Sequence, residues 1–432
     1  MYEEQYRRPL RLERFQLRMP NVNVVMAAQI KEPITLEQLE AITPKLIKRH
    51  AFLSAHVVYD NQNNAYFEPM KNPEIPVQEL EEDWENVVKT ELRHQFDVET
   101  GPLIRLTHIN KPQPVIIVNS HHIICDGLSV QYLIHDISKL LENPKLELEK
   151  LPVPPVIDDE LVPVKIGNIL TRFMINRLNK KWRTRNHHFT SKDYDKLHKE
   201  YWKTATTGIT HWTMPEKLLK HLLTETRKHG VTITHLLTAA LLEAQLIEMG
   251  VHPDYGNKVT ISVNLRPRLK KPIGESYGYY ASAVTIQHQY DHKQDIWNNA
   301  SKIKRLMDRK LNDKELFASQ QTSEIDPTLL DAIGLGMFGL LQEDTVDNMI
   351  QKITRERMST AIITNLGAQQ APTNLNKVYG PILHAVSEKY VGITTINNNL
   401  TLTISYNEAD IQTETIQKII KTIKTKLEPK HQ

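Results

Sequence analysis

Val115-Ile-Ile-Val118-Asn119-Ser120-His121-His122-Ile123-Ile124-Cys125-Asp126-Gly127-Leu128-Ser129 is the stretch on which the reading of this chain turns. Val115 to Val118 is a short β-branched apolar run, the pattern of a buried strand. After Asp126-Gly127, the apolar residues Leu128, Tyr132, Leu133, Ile137, Leu140 and Leu141 recur at helical spacing up to Pro144. The polar string between them is an elbow at the carboxyl end of a strand, held by a rigid element on either side, where sites are often built. Two histidines, three spacers and Asp-Gly arise by chance in roughly one chain in a thousand of this composition. Asn186-His187-His188-Phe189 also carries a histidine pair, but it lacks both the strand and the Asp-Gly and reads as solvated surface.

A histidine of near-neutral pKa is suited to take a proton from a hydroxyl or amine as that group attacks a carbonyl. Asp126 orients the ring or locks the elbow by pairing with a distant arginine, and Gly127 allows a tight turn and close approach of a substrate. Other readings compete. As metal ligands, His121, His122 and Asp126 lack an apparent fourth partner, and adjacent histidines in extended backbone point to opposite faces. Cys125 as a nucleophile, with His122 activating it, competes with Cys125 as a small buried hydrophobe among Ile123, Ile124 and Leu128. A pair of histidines satisfied by backbone carbonyls is the plainest alternative. Gly-x-Ser-x-Gly, P-loop and Gly-x-Gly-x-x-Gly strings are absent, which argues against hydrolase, NTPase and dinucleotide readings.

Working outward, 432 residues are comfortable for two domains, and 40% hydrophobic with 24% charged residues excludes a mainly disordered chain. Lys+Arg (54) barely exceed Asp+Glu (51). The basic residues are dispersed, with short clusters at 180–183 and 266–271, so no nucleic-acid partner is expected. A lone cysteine excludes an internal disulfide and any multi-thiolate zinc site. The charged N-terminus, Met1-Tyr-Glu-Glu-Gln-Tyr-Arg-Arg8, shows no secretory signal, and Ala332 to Leu341 is too short to span a membrane. A soluble, cytoplasmic protein is the expectation. The 332–341 segment reads as a core helix or loop anchor in preference to a lipid-accepting groove.

Other elements follow from local signals. Thr35-Leu-Glu-Gln38 is a capping box ahead of a helix through Leu39, Ile42, Leu46 and Ile47, which Pro44 should kink or divide. Val57–Tyr59 and Ala65–Phe67 read as a hairpin around the asparagines at 61–64. The proline-rich stretch 151–163 reads as a linker or crossover, 167–183 as an amphipathic helix, and the polar residues after it as surface. Thr213-Met-Pro-Glu216 suggests a second capping box before a helix stopping at Gly230, with another helix from Thr232 to Gly250. Strands are expected near 259–263, 283–286, 361–364, 392–395 and 400–406, with a helix at 297–311 and a turn at Asn397-Asn398-Asn399. The class is α/β, organised as 1–165, a crossover at 166–208, and 209–432.

The motif His121-His122-Ile-Ile-Cys-Asp126-Gly127-Leu-Ser129 resembles the HHxxxDGxS signature of nonribosomal-peptide condensation domains, polyketide-associated acyltransferases and alcohol acyltransferases. These form part of the chloramphenicol-acetyltransferase-like superfamily of CoA-dependent acyltransferases. The likeness extends in order along the chain: Leu46-Ile-Lys-Arg49-His50-Ala-Phe-Leu53, Phe96-Asp97-Val-Glu-Thr-Gly101-Pro102-Leu103-Ile-Arg105, Val263-Asn264-Leu-Arg266-Pro267-Arg268, Gly278-Tyr-Tyr-Ala-Ser-Ala283 and Thr364-Asn365-Leu-Gly367. The DFGWG block of the plant branch has no match here. The resemblance implies two similar halves arranged in a V around a tunnel, with His122 as general base and no acyl-enzyme. It implies that Asp126 points away from substrate to pair with Arg266, with His121, Gly127 and Ser129 in the same motif. Asn365 would lie on a strand lining the tunnel, where it could help hold the oxyanion or acceptor. No permanently bound cofactor or metal is implied. The co-substrate would be a thioester of CoA, or of phosphopantetheine on a separate carrier protein, and the acceptor an alcohol or, second, an amine. An amide-forming condensation enzyme and an idle carrier-docking module are the rival readings. A monomer is the default, since one chain can build the whole tunnel.

Overall fold

The computed structural model describes residues 6–384 and 387–429, so the first five residues of the N-terminal reading lie outside the described residues. Its strands are β1 (Arg8–Pro9), β2 (Asn23–Ile30), β3 (Ala55–Tyr59), β4 (Ala65–Pro69), β5 (Val77–Leu80), β6 (Ile104–Ile109), β7 (Val115–His121), β8 (Thr207–Met214), β9 (Lys258–Asn264), β10 (Ala281–Gln287), β11 (Ala361–Gln369), β12 (Leu375–Ile382), β13 (Lys389–Ile396) and β14 (Asn399–Asn407). The α-helices are α1 (Leu36–Arg49), α2 (Trp84–Leu92), α3 (Gly127–Glu142), α4 (Ile169–Arg183), α5 (Ser191–Thr204), α6 (Glu216–Lys228), α7 (Ile233–Glu248), α8 (Ile296–Lys310), α9 (Asp313–Leu316), α10 (Pro327–Met337), α11 (Asp344–Arg357) and α12 (Thr413–Leu427).

The first half is built on a five-stranded sheet, β12-β2-β7-β6-β5, beside the small sheet β1-β4-β3. Side-chain alternation in β2 sends Val24, Met26 and Ala28 into a core shared with Leu46 of α1 and Leu133 of α3. Val25 and Ala27 enter a second core with Val87 and Val88 of α2. Both faces of the sheet are therefore covered, which is why β7 reads as an unbroken apolar run. The second half is a six-stranded sheet, β10-β9-β11-β13-β14-β8. One face packs Ile363, Val391, Ile393 and Leu402 into a core with residues of α7, α8 and α12.

The opposite face of that sheet is polar for a reason. Thr394, Thr403 and Ser405 are buried there, and β12 with the residues just after it crosses them. The Gly380 amide donates to Thr403 Oγ1 at 3.1 Å, the Ser405 hydroxyl to the Leu383 carbonyl at 2.6 Å, and the Thr394 hydroxyl to the Val378 carbonyl. Gly392 leaves the room, since a Cβ there would meet the Pro381 carbonyl oxygen at 2.2 Å. β12 thus belongs to the second half by sequence and to the first by its pairing with β2. The halves interlock and do not divide cleanly at 1–165, 166–208 and 209–432.

Several local expectations need correction. α1 runs unbroken through Pro44, because the Thr43 hydroxyl donates at 3.0 Å to the Glu40 carbonyl that the proline leaves without its helical partner. Thr213 caps nothing: it lies in β8 opposite Thr401, and α6 starts behind Pro215 without a side-chain cap. The 166–208 crossover contains both α4 and α5, and Trp182 of α4 joins Leu330, Ile333 and Val346 in a small separate core. The expected surface stretch is the regular helix α5; Asp193 Oδ2 accepts from the Thr190 amide at 2.7 Å and from its hydroxyl at 2.8 Å, and the buried residues of the helix are Tyr194 and Leu197. The proline-rich 151–163 segment is irregular, yet Ile157, Leu161 and Val162 are buried in the core of the second half. Ala332 to Leu335 is buried core helix, part of α10. Among the described residues no single helix is long and apolar enough to cross a membrane.

Candidate functional site

β7 ends on His121, and the chain then turns sharply: the His122 amide donates to the Val22 carbonyl at 3.0 Å and the Ile124 amide to the His121 carbonyl at 3.1 Å. The two rings separate, as adjacent residues leaving a strand must. His121 is buried and lines a cavity of about 40 Å³ with His94, Phe96 and His198. Its Nδ1 accepts from the Ile123 amide at 3.3 Å, and burial, helped by His122 and Arg18, pushes its pKa down to about 3. His121 is thus a neutral acceptor that shapes the turn.

His122 is placed differently. Its side chain is only half-buried, and its ring meets Tyr279 edge-on with centroids 5.0 Å apart. Nδ1 lies 2.7 Å from the Cys125 carbonyl. A carbonyl only accepts, so Nδ1 carries the proton and Nε2 presents a lone pair. Burial lowers the His122 pKa, and the Cys125 carbonyl and Asp126 charge oppose that without reversing it. The ring is a neutral base of fixed tautomer.

Asp126 turns the other way and caps α3, its Oδ1 accepting from the Ser129 amide at 2.8 Å. Oδ2 pairs with Arg266 Nη1 at 2.7 Å and accepts from the Tyr280 amide at 3.0 Å. Burial alone would raise its carboxyl pKa, but Arg266 and these donors hold it below the usual range. Ser129 sits within the same knot. Its hydroxyl is 3.0 Å from Asp126 Oδ1 and 2.8 Å from the Gly278 carbonyl, and it accepts from Arg266 Nη2 at 2.8 Å. The guanidinium also lies over the Tyr280 ring at 5.0 Å. Asp126, Ser129 and Arg266 form one buried cluster that ties the elbow to the second half.

Gly127 permits close approach of the second half, and no left-handed turn requires it. Its φ is not positive, and a Cβ would meet Pro381 Cγ at 2.9 Å and Leu366 Cδ2 at 3.3 Å. The second half therefore presses directly on the first turn of α3. Asn365 lies one residue before Leu366, but its amide is engaged locally: Nδ2 donates to Thr234 Oγ1 at 3.0 Å and Oδ1 accepts from the Gly367 amide at 2.9 Å. Cys125 is fully buried and its thiol is pushed up to about 12 by burial, which disarms it as a nucleophile. No group of three or more His, Cys, Asp or Glu side chains among the described residues is placed to hold a metal.

Sequence reading gave no role to Tyr279, the Tyr280 amide, the Cys125 carbonyl or Pro381. The Gly278–Ala283 block was a signal for the first two. A backbone carbonyl contributing through a turn, and a proline 254 positions after Gly127 in the chain, leave no local trace.

The sequence model described as "Condensation domain" matches residues 21–315, about two thirds of the chain. Tyrocidine synthase 2 of Brevibacillus parabrevis is 28% identical over 133 residues, which are 30% of this chain and 4% of that protein. Gramicidin S synthase 2 of Brevibacillus brevis is 30% identical over 117 residues, 26% of this chain and 3% of the relative. The chain thus matches only a few per cent of the length of these relatives. Among solved structures, a trichothecene 15-O-acetyltransferase from Fusarium sporotrichioides superposes with a TM-score of 0.62 at 15% identity, covering 98% of this chain and 94% of the other. That likeness shows the fold. With the sequence model matching well over half of it, and with the two-halved fold in place, the chain belongs to the condensation-domain family.

Proposed function

We propose that the protein transfers an acyl group from a thioester, carried on CoA or on the phosphopantetheine arm of a carrier protein, to an alcohol acceptor. The observation that carries this reading is the His122 ring, partly buried at the seam between the halves, with Nδ1 bonded to the Cys125 carbonyl and Nε2 left as the basic atom. Nε2 takes the hydroxyl proton as the oxygen attacks the thioester carbonyl. The tetrahedral intermediate collapses with loss of thiolate, and the imidazolium returns its proton to that sulfur. The products are an ester and a free thiol, with no acyl-enzyme. A base matters most for a hydroxyl, whose pKa lies near the ~16 of water, because a neutral amine attacks unaided. The expected tunnel would follow the seam marked by His122, Tyr279 and Pro381, donor and acceptor meeting from opposite sides.

A second reading, amide formation from an amine acceptor, is favoured by the condensation-domain match. Purified protein supplied with acyl-CoA or acyl-loaded carrier protein, and with alcohol and amine panels, separates the two by mass spectrometry of the products. Ester formation with acceptor-dependent thiol release supports the first reading. Amide products alone move it to the second, and no product with any pair returns the chain to a docking module.

A further inference from the structure

We propose that α4 seats the protein on an anionic membrane surface. Six large apolar side chains are exposed among the described residues, and four of them lie on this helix: Ile169 (84% exposed), Leu170 (68%), Phe173 (63%) and Met174 (62%). Wound at 3.6 residues per turn, these four share one side of the helix, opposite the side on which Asn179 and Trp182 are buried. The same outward side continues into Arg177, Lys180 and Lys181, all exposed. No Asp or Glu occurs between residues 169 and 183. The outer face is thus greasy over its first two turns and cationic over the last two, a span of ~18 Å from Ile169 to Lys181.

This pattern fits a lipid boundary in two respects. Aliphatic, aromatic and thioether side chains this exposed can enter the acyl-headgroup boundary, which deforms around them without a preformed groove. The three bases, placed further along the same side, then meet lipid phosphates, each adding attraction that salt weakens. The helix is fixed from behind: Trp182 Nε1 donates to Thr328 Oγ1 at 2.8 Å and Arg183 pairs with Asp326 at 2.7 Å. The protein would therefore dock as a rigid body with no folding step. The proposal does not depend on the acyl-transfer reading.

The test is co-sedimentation of the full chain with vesicles of phosphatidylcholine alone and of phosphatidylcholine mixed with phosphatidylglycerol, at low and high salt. Wild type is expected to partition at least about tenfold more onto the anionic vesicles, and less at high salt. Phe173→Ser with Met174→Ser, and separately Lys180→Gln with Lys181→Gln, are each expected to lower that partitioning about tenfold with unchanged melting temperature, since all four side chains are exposed. Equal sedimentation with and without anionic vesicles overturns the proposal, as does full binding by both variants. Self-association in the ultracentrifuge that the Phe173/Met174 variant abolishes, without vesicle binding by wild type, assigns the face to a second copy instead.

Discussion

Removing an imidazole from water costs more for its charged form than for its neutral form, and burial is the largest influence on His122. The proposed base is therefore neutral at pH 7 and stays so as pH falls through 6.5, the ordinary histidine value. The acid limb of kcat/KM is expected below pH 6.5, and a limb at or above 6.5 in a pH-rate profile would contradict the desolvated base. His122→Gln is expected to lower acyl transfer by roughly 10²–10⁴-fold. Its melting temperature should stay close to wild type, because the side chain is only half-buried. His121→Gln tests the other ring: as a buried acceptor for the Ile123 amide, it should cost stability in a denaturant titration and leave the pH-rate profile in place.

At the scale of elements, the strand-elbow-helix unit works because the second half clamps it. Asp126 and Arg266 are both buried and paired at 2.7 Å, so removing either alone strands a charge. Arg266→Ala is expected to cost about 3–5 kcal/mol in urea unfolding, and Asp126→Asn combined with Arg266→Met less than the sum of the singles. Additive losses would mean that the pair does not hold the elbow. Gly127→Ala would be favourable on an isolated helix. Here it should cost about 1–3 kcal/mol and reduce turnover, because Pro381 and Leu366 occupy the place of the new Cβ. A stabilised, fully active variant would show that the halves can part without consequence. This unit was legible in the sequence, since a β-branched run and helical periodicity on either side of Asp126-Gly127 are local signals, whereas the capping role of Asp126 was not read. β2, α2 and β12 were not read. β12 pairs with a strand about 350 residues earlier, and the polar contacts that it and Leu383 make with Thr394, Thr403 and Ser405 leave no local pattern.

For the whole molecule, buried neutral histidines make stability depend on pH. Burial lowers His121 to about 3 and His384 to about 4, and both are nearly inaccessible. Below pH 6.5 the unfolded chain binds protons at these positions while the folded chain does not, so stability falls on acidification. Each such group contributes about 1.4 kcal/mol per pH unit between 6.5 and its folded value. The denaturant midpoint should therefore drop between pH 7 and pH 5, and a constant midpoint would show these rings to be better solvated than the fold implies. At this scale the family resemblance foretold two halves and the Asp126–Arg266 pair. The interlocking of the halves through β12, and the helical core around Trp182, emerged only from tertiary packing.

The central claim is that the Nε2 lone pair of His122 deprotonates the acceptor beside a thioester. Thiol release from an acyl thioester should be followed with and without acceptor, for wild type and His122→Gln, across pH 5 to 8 as a range on the order of three units around the histidine pKa. The account predicts acceptor-dependent release by wild type, with its acid limb below 6.5, and a loss of that component in the variant. Equal, acceptor-dependent release by both proteins would contradict it.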